Sequence, residues 1–390
     1  MPPTNRAIVI YSPHSGRARH LEEVLSQLRQ HNIAITKVIP IADLDGLPAQ
    51  GPVWKAQGLD IAIAAGGDGL VGGVITHIAE SGLALGIIPL GTANDVARTL
   101  QIPQDIQQAT EVIINGHIIG VDVGVAQPAE QTPHKAKRHR RSPAKVQIPL
   151  NQQSFFAHAL TVGLNVQFAR IATNITTRQR FGRLTYPIAA LEFIKHHGPI
   201  ELDVQIDGLA LPKRAEEGGT SHEEGGTSYE EGGTSHAATD QTQPIILTEP
   251  VRFRGKALQA TVINAPIFGG QWQIALPKAS IYDRLLNVVL ITDIKVETLV
   301  GSIAHFLGNP NMPTNPHSSW HIQNAAHPLL QQAELSGIQG AYHFQAQGIT
   351  ISSNVDPQDV TLDGEIRGQT PVRIHIAPQS LPVIVPTGRA

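Results

Sequence analysis

The chain has no cysteine. That excludes disulfides, thiolate metal centres and a cysteine nucleophile, and it is compatible with a reducing cytosol. It carries no large charge excess either. The formal charge is -3 at pH 7, which gives no reason to expect nucleic acid as a partner. No apolar run approaches the ~20 residues of a membrane span. The opening MPPTNRAIVIYSPHSG enters a strand almost at once and lacks the long apolar core of a signal peptide. These absences read as a cytoplasmic chain, with peripheral contact at a membrane surface left open. Also missing are a P-loop lysine and H-E-x-x-H. Most of the 18 histidines therefore read as surface or structural residues.

What is present suffices for two domains. The chain has 390 residues, 41% of them hydrophobic, enough for two separate cores. The first part alternates strands and helices. RAIVIYS, IAITKVIPI, LDIAIAA and LALGIIPLG read as strands. ARHLEEVLSQLRQH carries Leu21, Val24, Leu25 and Leu28 at helical spacing. GLVGGVITHIAESG and NDVARTLQI start further helices, the second stopped near Pro103. Such alternation predicts a parallel sheet covered by helices, with ligands beyond the carboxyl ends of its strands. From about Ile118 the pattern becomes strand-rich, with one helix expected in RLTYPIAALEFIKHH. A second domain of antiparallel β-structure is the natural reading. The expected boundaries are 1–117 and 118–370, with 371–390 packing back on the first domain.

Two insertions interrupt the second domain. HKAKRHRRSPAK, residues 134–145, is a basic run. It reads either as a solvated loop or as a segment drawn to an anionic membrane surface. EEGGTSH-EEGGTSY-EEGGTSH, Glu216 to His236, repeats a seven-residue unit with almost no apolar content. Without an apolar seam the period is not a coiled coil. The stretch 213–243 is expected to be a flexible acidic loop, because it cannot offset its own ordering entropy.

The stretch that raises a chemical question is AAGGDGL, Ala64 to Leu70. Glycines 66, 67 and 69 allow a sharp turn and close approach to a ligand. A helix starting just after the turn offers free N–H groups to a phosphate. Asp68 cannot face a phosphate without repulsion unless a hard cation such as Mg²⁺ intervenes. GGDG also serves as a plain strand-to-helix turn. GIIPLGTANDVAR puts Gly91, Thr92, Asn94 and Asp95 at the end of the adjacent strand. Thr92 offers a hydroxyl to a phosphate, and Asp95 is either a helix cap or a polar partner in the cleft. Near the end of the chain, VTLDGEIRG holds Asp363 and Glu365. Period-two alternation would point both to one face of an extended segment. Asp-Gly is equally a hairpin turn signal.

In this order, YSPHSG, GGDG, PLGTANDVAR, the NAPIFGG…LPKASIYDRLLNVVLI block and LDGE followed by TPVRIHIAPQSLPVIVP resemble the diacylglycerol kinase catalytic-domain family. That family includes soluble bacterial lipid kinases and sphingosine kinases. VDVG and FGRLTYPIAALEFI also fit it. The resemblance implies a nucleotide-binding α/β domain and a β-rich, sandwich-like lipid-binding domain, with ATP and lipid meeting between them. It maps a nucleotide contact onto Ser12, Pro13, His14, Ser15 and Gly16, followed by Arg17. Gly66, Gly67, Asp68, Gly69, Leu70, Gly72 and Gly73 map to the phosphate site, with Thr92, Asn94 and Asp95 on the adjacent turn. Asp283 maps to the side-chain ligand of a structural Mg²⁺, with backbone oxygens from Ser280 and Leu285. Asp122 and Asp68 map to the linked water network. Glu365 maps to a general base, with Asp363 beside it. The implied partner is a lipid presented at a membrane surface, and a homodimer stays open.

The chain departs from the family pattern in several places. Leu70, Gly72 and Gly73 stand where a Thr and then an Asn-Glu pair are usual. Ser12 replaces an Asn. In the metal loop Tyr282 and Arg284 replace a common Asp and Gly. Two other readings accompany the lipid kinase: an NAD kinase, which shares GGDG, and a nucleotide- or lipid-binding protein without activity.

Overall fold

The computed structural model describes residues 5–13, 15–130, 153–163, 199–211, 244–268, 274–276, 279–292, 321–323, 341–353 and 355–388. His14, the basic run, the acidic repeat and the expected helix in RLTYPIAALEFIKHH lie outside the described residues.

The first sheet grows from the expected alternation. β1 (Arg6–Tyr11), α1 (Leu21–Gln30), β2 (Ala34–Pro40), α2 (Gly51–Ala56), β3 (Ile61–Gly66), α3 (Asp68–Ile78) and β4 (Ala84–Pro89) follow one another. Then come α4 (Asp95–Thr99), α5 (Ile106–Asn115) and β5 (His117–Val121). α1 buries Leu21, Val24, Leu25 and Leu28, with Glu22 and Glu23 in its first turn and Arg29 in its last, the polarity its dipole favours. α5 begins where the Asp105 carboxylate accepts the Gln108 N–H at 3.0 Å. Every residue of β3 and β4 is buried. That is the signature of central strands covered on both faces, and IAIAAG and ALGIIP are apolar enough to sit there.

The remaining strands are β6 (Gly124–Pro128), β7 (Ser154–Phe156), β8 (Ala159–Gly163), β9 (Ile200–Leu211), β10 (Ile245–Ile246), β11 (Val251–Ile263), β12 (Ile267–Phe268) and β13 (Ile274–Ala275). They continue with β14 (Leu286–Thr292), β15 (His321–Gln323), β16 (Ala341–Ser353), β17 (Asp359–Leu362), β18 (Glu365–Gln369), β19 (Val372–Ile376) and β20 (Leu381–Val385). The first sheet has the order β2-β1-β3-β4-β20-β5. β20 therefore returns to the first sheet, parallel to β4 and antiparallel to β5. The order reverses beside β1, since β2 lies on one side of it and β3 on the other. In open α/β sheets that switch point opens a crevice beyond the strand ends.

The second sheet has 12 strands, and its described pairings are all antiparallel. Alternation places its core. Leu202, Val204 and Ile206 of β9, and Val372, Ile374 and Ile376 of β19, point into one cluster with Phe156, Leu160 and Val162. The two sheets meet at Asn264, whose Nδ2 donates to the Asp122 carbonyl at 2.7 Å and the Ala157 carbonyl at 3.1 Å. A parallel α/β unit joined to an antiparallel β-rich unit is the fold class the sequence predicts.

Candidate active site

Three turns lie together at the carboxyl ends of β1, β3 and β4. The first begins at Ser12, whose N–H donates to the Ala65 carbonyl at 3.3 Å. The second runs through Gly66 and Gly67 into α3. The third runs through Gly91 to Asp95. The second and third turns touch through their glycines: a Cβ at Gly67 would stand 3.2 Å from the Gly91 Cα. Only bare backbone permits that approach. Among the described residues no side chain caps α3 at Gly67, so the first amides of this 11-residue helix face the turn.

Three polar residues of these turns have a definite job. Asn94 is buried in the left-handed region at φ 52. Its Oδ1 accepts the Gly91 N–H at 3.0 Å, and its Nδ2 donates to the Gly91 carbonyl and to Gln104 Oε1. It staples the turn and faces inward. Asp68 Oδ1 accepts the Val96 N–H at 3.0 Å, so this carboxylate caps the short α4 from the neighbouring turn. Arg17 donates Nη1 to the Gln104 carbonyl at 2.9 Å and Nη2 to the Pro89 carbonyl. It ties the first turn to the third. The Leu70 side chain is buried against Gly66. Thr92, Pro13 and Gly16 are exposed, and Ser12 and Ser15 are half-buried.

The β17–β18 hairpin delivers the carboxylates of the second unit. Asp363 and Gly364 form its turn with φ 47 and 89, the twist that Asp-Gly suits. The extended segment with two carboxylates on one face is therefore corrected: Asp363 sits in the turn itself. Its carboxylate folds back onto three amides, accepting from Ala157, His158 and Ala159 at 3.0 Å each. Burial pushes the Asp363 carboxyl up, opposed by the His158 imidazole and by the three amides. Glu365 is exposed, and its Oε2 pairs with Arg367 Nη2. The hairpin meets α3: a Cβ at Gly69 would lie 3.7 Å from Glu365 Oε1, and one at Gly72 would overlap Asp363 Oδ2. A cavity of about 50 Å³ opens there beside Gly73, Thr76, Ser154 and Glu365.

Two residues of this site escaped sequence reasoning. His158 links the halves: its ring lies 3.7 Å from Asp95 Oδ2 while its backbone N–H serves Asp363. Arg367 holds Glu365. Only the position of Arg367, two residues beyond Glu365 on the same strand, was a readable signal.

The loop mapped to a structural Mg²⁺ does not fit one. Asp283 Oδ1 accepts the Leu285 N–H at 3.0 Å and its Oδ2 accepts from Gln345 Nε2 at 3.3 Å. Ser280 Oγ accepts the Tyr282 N–H at 3.1 Å. Both oxygens of the buried Asp122 are taken by Arg284, through its N–H at 2.7 Å and its Nη1 at 3.2 Å. Among the described residues no three His, Asp or Glu side chains gather as a metal cluster.

The fold places a parallel sheet with glycine turns against an antiparallel β-rich unit, the arrangement of the NAD kinase and diacylglycerol kinase-like class. Residues 6–126 match the family described as diacylglycerol kinase catalytic domain. Residues 158–308 match the one described as YegS C-terminal NAD kinase beta sandwich-like domain. By these two matches the chain is similar to the diacylglycerol kinase catalytic-domain family. Among curated relatives, a "Diacylglycerol kinase" of Staphylococcus saprophyticus is 40% identical over 124 residues, covering 30% of this chain and 40% of the relative. One of Staphylococcus aureus strain JH9 is also 40% identical over 124 residues, covering 30% and 39%. The matched stretch thus spans about two fifths of those relatives' length. A solved structure described as a diacylglycerol kinase of Bacillus anthracis str. Sterne shares the fold at TM-score 0.57 and 17% identity, over 98% of this chain and 97% of that one.

Proposed function

We propose that the chain is an ATP-dependent lipid kinase. It would transfer the γ-phosphate of ATP to the hydroxyl of diacylglycerol or a related lipid alcohol, giving phosphatidic acid or its like. The observation that carries this is the meeting of Glu365 with the start of α3, across a small cavity. A lipid hydroxyl is a poor nucleophile, and Glu365, paired with Arg367 through Oε2, turns its Oε1 toward Gly69 as the acceptor for that proton. Asp363 has another task, since three amides engage its carboxylate. It positions the turn that carries Glu365. The amides of Gly69 and Leu70, with exposed Thr92 and the Ser12 to Gly16 turn, suit the phosphates of the nucleotide. Asp68, half-buried at the same helix start, is the oxygen donor that suits a nucleotide-bound Mg²⁺. When bound, that cation would offset negative charge on the β- and γ-phosphates. Arg367 would keep Glu365 in place between turnovers.

The acceptor would be met at a membrane surface from the cytoplasmic side, by a chain in which no described helix is long and apolar enough to cross a membrane. A second reading is favoured by the NAD kinase-like description of the β-rich domain: phosphorylation of a soluble nucleotide. The test is transfer from γ-labelled ATP with Mg²⁺ to a mixed lipid extract in micelles, beside a parallel tube with NAD. A labelled phosphatidic acid-like product is the expected result and names the alcohol. Labelled NADP would replace the lipid reading with the second. No product in either tube, with ATP binding retained, would overturn both and leave a binding role.

A further inference from the structure

The joint between the two units contains a cation of its own. Asp122 follows β5 and has a side chain 3% exposed. A carboxylate so deeply placed needs a positive partner or a set of donors. Its two oxygens are served by one residue, Arg284, through backbone N–H and guanidinium together. The same guanidinium reaches the Pro378 carbonyl at 3.4 Å, in the link between β19 and β20. One side chain thus ties the loop before β14, the end of β5 and the strand that returns to the first sheet.

The backbone at Arg284 shows that this side chain matters. Its φ is 60, the left-handed region where an L-residue is strained and glycine is not. A glycine would relieve that strain but would bring no charge to Asp122. Meanwhile Asp283, the residue mapped to the metal, is engaged with Leu285 and Gln345. Its carboxylate, like that of Asp122, is already served by donors of this chain.

We infer that the Arg284 guanidinium replaces the structural Mg²⁺ of this joint, so that the joint is held together without metal. The inference is independent of the substrate and of the reaction. It concerns charge balance alone: one internal cation stands against the buried Asp122, where the family resemblance implies a divalent ion.

The test is thermal melting of the full chain without nucleotide, in EDTA and in millimolar Mg²⁺, for the wild type and for Arg284→Gly and Arg284→Ala. The wild type should melt at the same temperature in both buffers. Arg284→Gly should melt lower than the wild type in EDTA by roughly 4 °C or more, although it relieves backbone strain. Mg²⁺ should recover part of that loss, because the vacated space beside Asp122 and Asp283 then suits a small hard cation. Arg284→Ala keeps the strained backbone and loses the charge, so it should melt lowest in EDTA. Native mass spectrometry of the purified wild type should show no bound Mg²⁺. A wild type that melts lower in EDTA overturns the inference. So does an Arg284→Gly variant as stable as the wild type in EDTA, or one whose loss Mg²⁺ leaves untouched.

Discussion

The Asp363 carboxylate occupies the space that any side chain at residue 72 would need. This relationship explains a departure that looks like decay in the sequence. Where the resemblance implies an Asn-Glu pair after the glycine turn, this chain has Gly72 and Gly73, and the first of them makes room for the hairpin. Gly72→Asn, which restores the family residue type, should destabilise the protein. Overlap in a packed contact costs about 1–3 kcal/mol, more than the ~0.3 kcal/mol that helix propensity returns when Asn replaces glycine. Gly73→Ala is the control, because its Cβ would meet only the tip of Ile41 at 3.2 Å. Urea unfolding of the two variants should separate them, with Gly73→Ala near the wild type. Equal stability would mean that Asp363 is not held as described.

Asp68 has two roles that two substitutions divide. Its Oδ1 caps α4 through the Val96 N–H, and under the proposed function its charge serves the nucleotide-bound cation. Asp68→Asn keeps an oxygen for the cap and removes the charge. Asp68→Ala removes both, with a capping loss of about 1 kcal/mol. The expected pattern is activity lost in both variants and stability lost mainly in Asp68→Ala. Kinase assays over a Mg²⁺ series, beside thermal melts, read the two effects apart. An active Asp68→Asn variant with wild-type Mg²⁺ dependence would leave Asp68 only its capping role.

Glu365 and Arg367 form an exposed pair, so neither should matter much to folding. Exposed ion pairs contribute about 0–1 kcal/mol. Glu365→Gln should lower turnover by a general-base factor of ~10²–10⁴ with little change in melting temperature. Arg367→Gln should cost less, because it loosens the carboxylate without removing it. Near-normal turnover in Glu365→Gln would take the base role away from this residue.

Local patterns carried most of the fold. The buried runs of β3 and β4, the i, i+3, i+4, i+7 spacing of α1 and the alternation of β9 and β19 can each be read from a few neighbouring residues. The site was legible only where a motif is also a turn, as in GGDG and LDGE. What the sequence could not reveal depends on distant pairings. Nothing near residue 68 says that its carboxylate caps a helix beginning at Asp95. Nothing near residue 94 says that the Asn turns inward to Gln104. His158 stands out only once the hairpin turn lies against it, 205 residues away in sequence. Period two also failed at Asp363, because Asp-Gly leaves the extended conformation before the next strand residue.

Acid should destabilise the fold before the carboxylates titrate. Burial lowers the pKa of His77 from 6.5, opposed by the Pro48 carbonyl and Asp45, and burial alone lowers that of His343. Among the described residues His77 Nδ1 finds no hydrogen-bond partner, while His343 Nε2 faces Asn287 Oδ1 at 3.0 Å. In the unfolded chain both rings take up a proton near pH 6.5, whereas in the folded chain they do so only at lower pH. Between those values the unfolded state binds more protons, so stability rises with pH and is lost as pH falls through the window. Asp363 has the opposite sign: its raised pKa lets the folded state bind the extra proton, so its contribution declines as pH rises. A comparison between variants removes that term. The melting temperature of a His77→Gln, His343→Gln double variant should fall less than that of the wild type between pH 7 and pH 5.5. Parallel decline in the two proteins would show that neither ring titrates differently on folding.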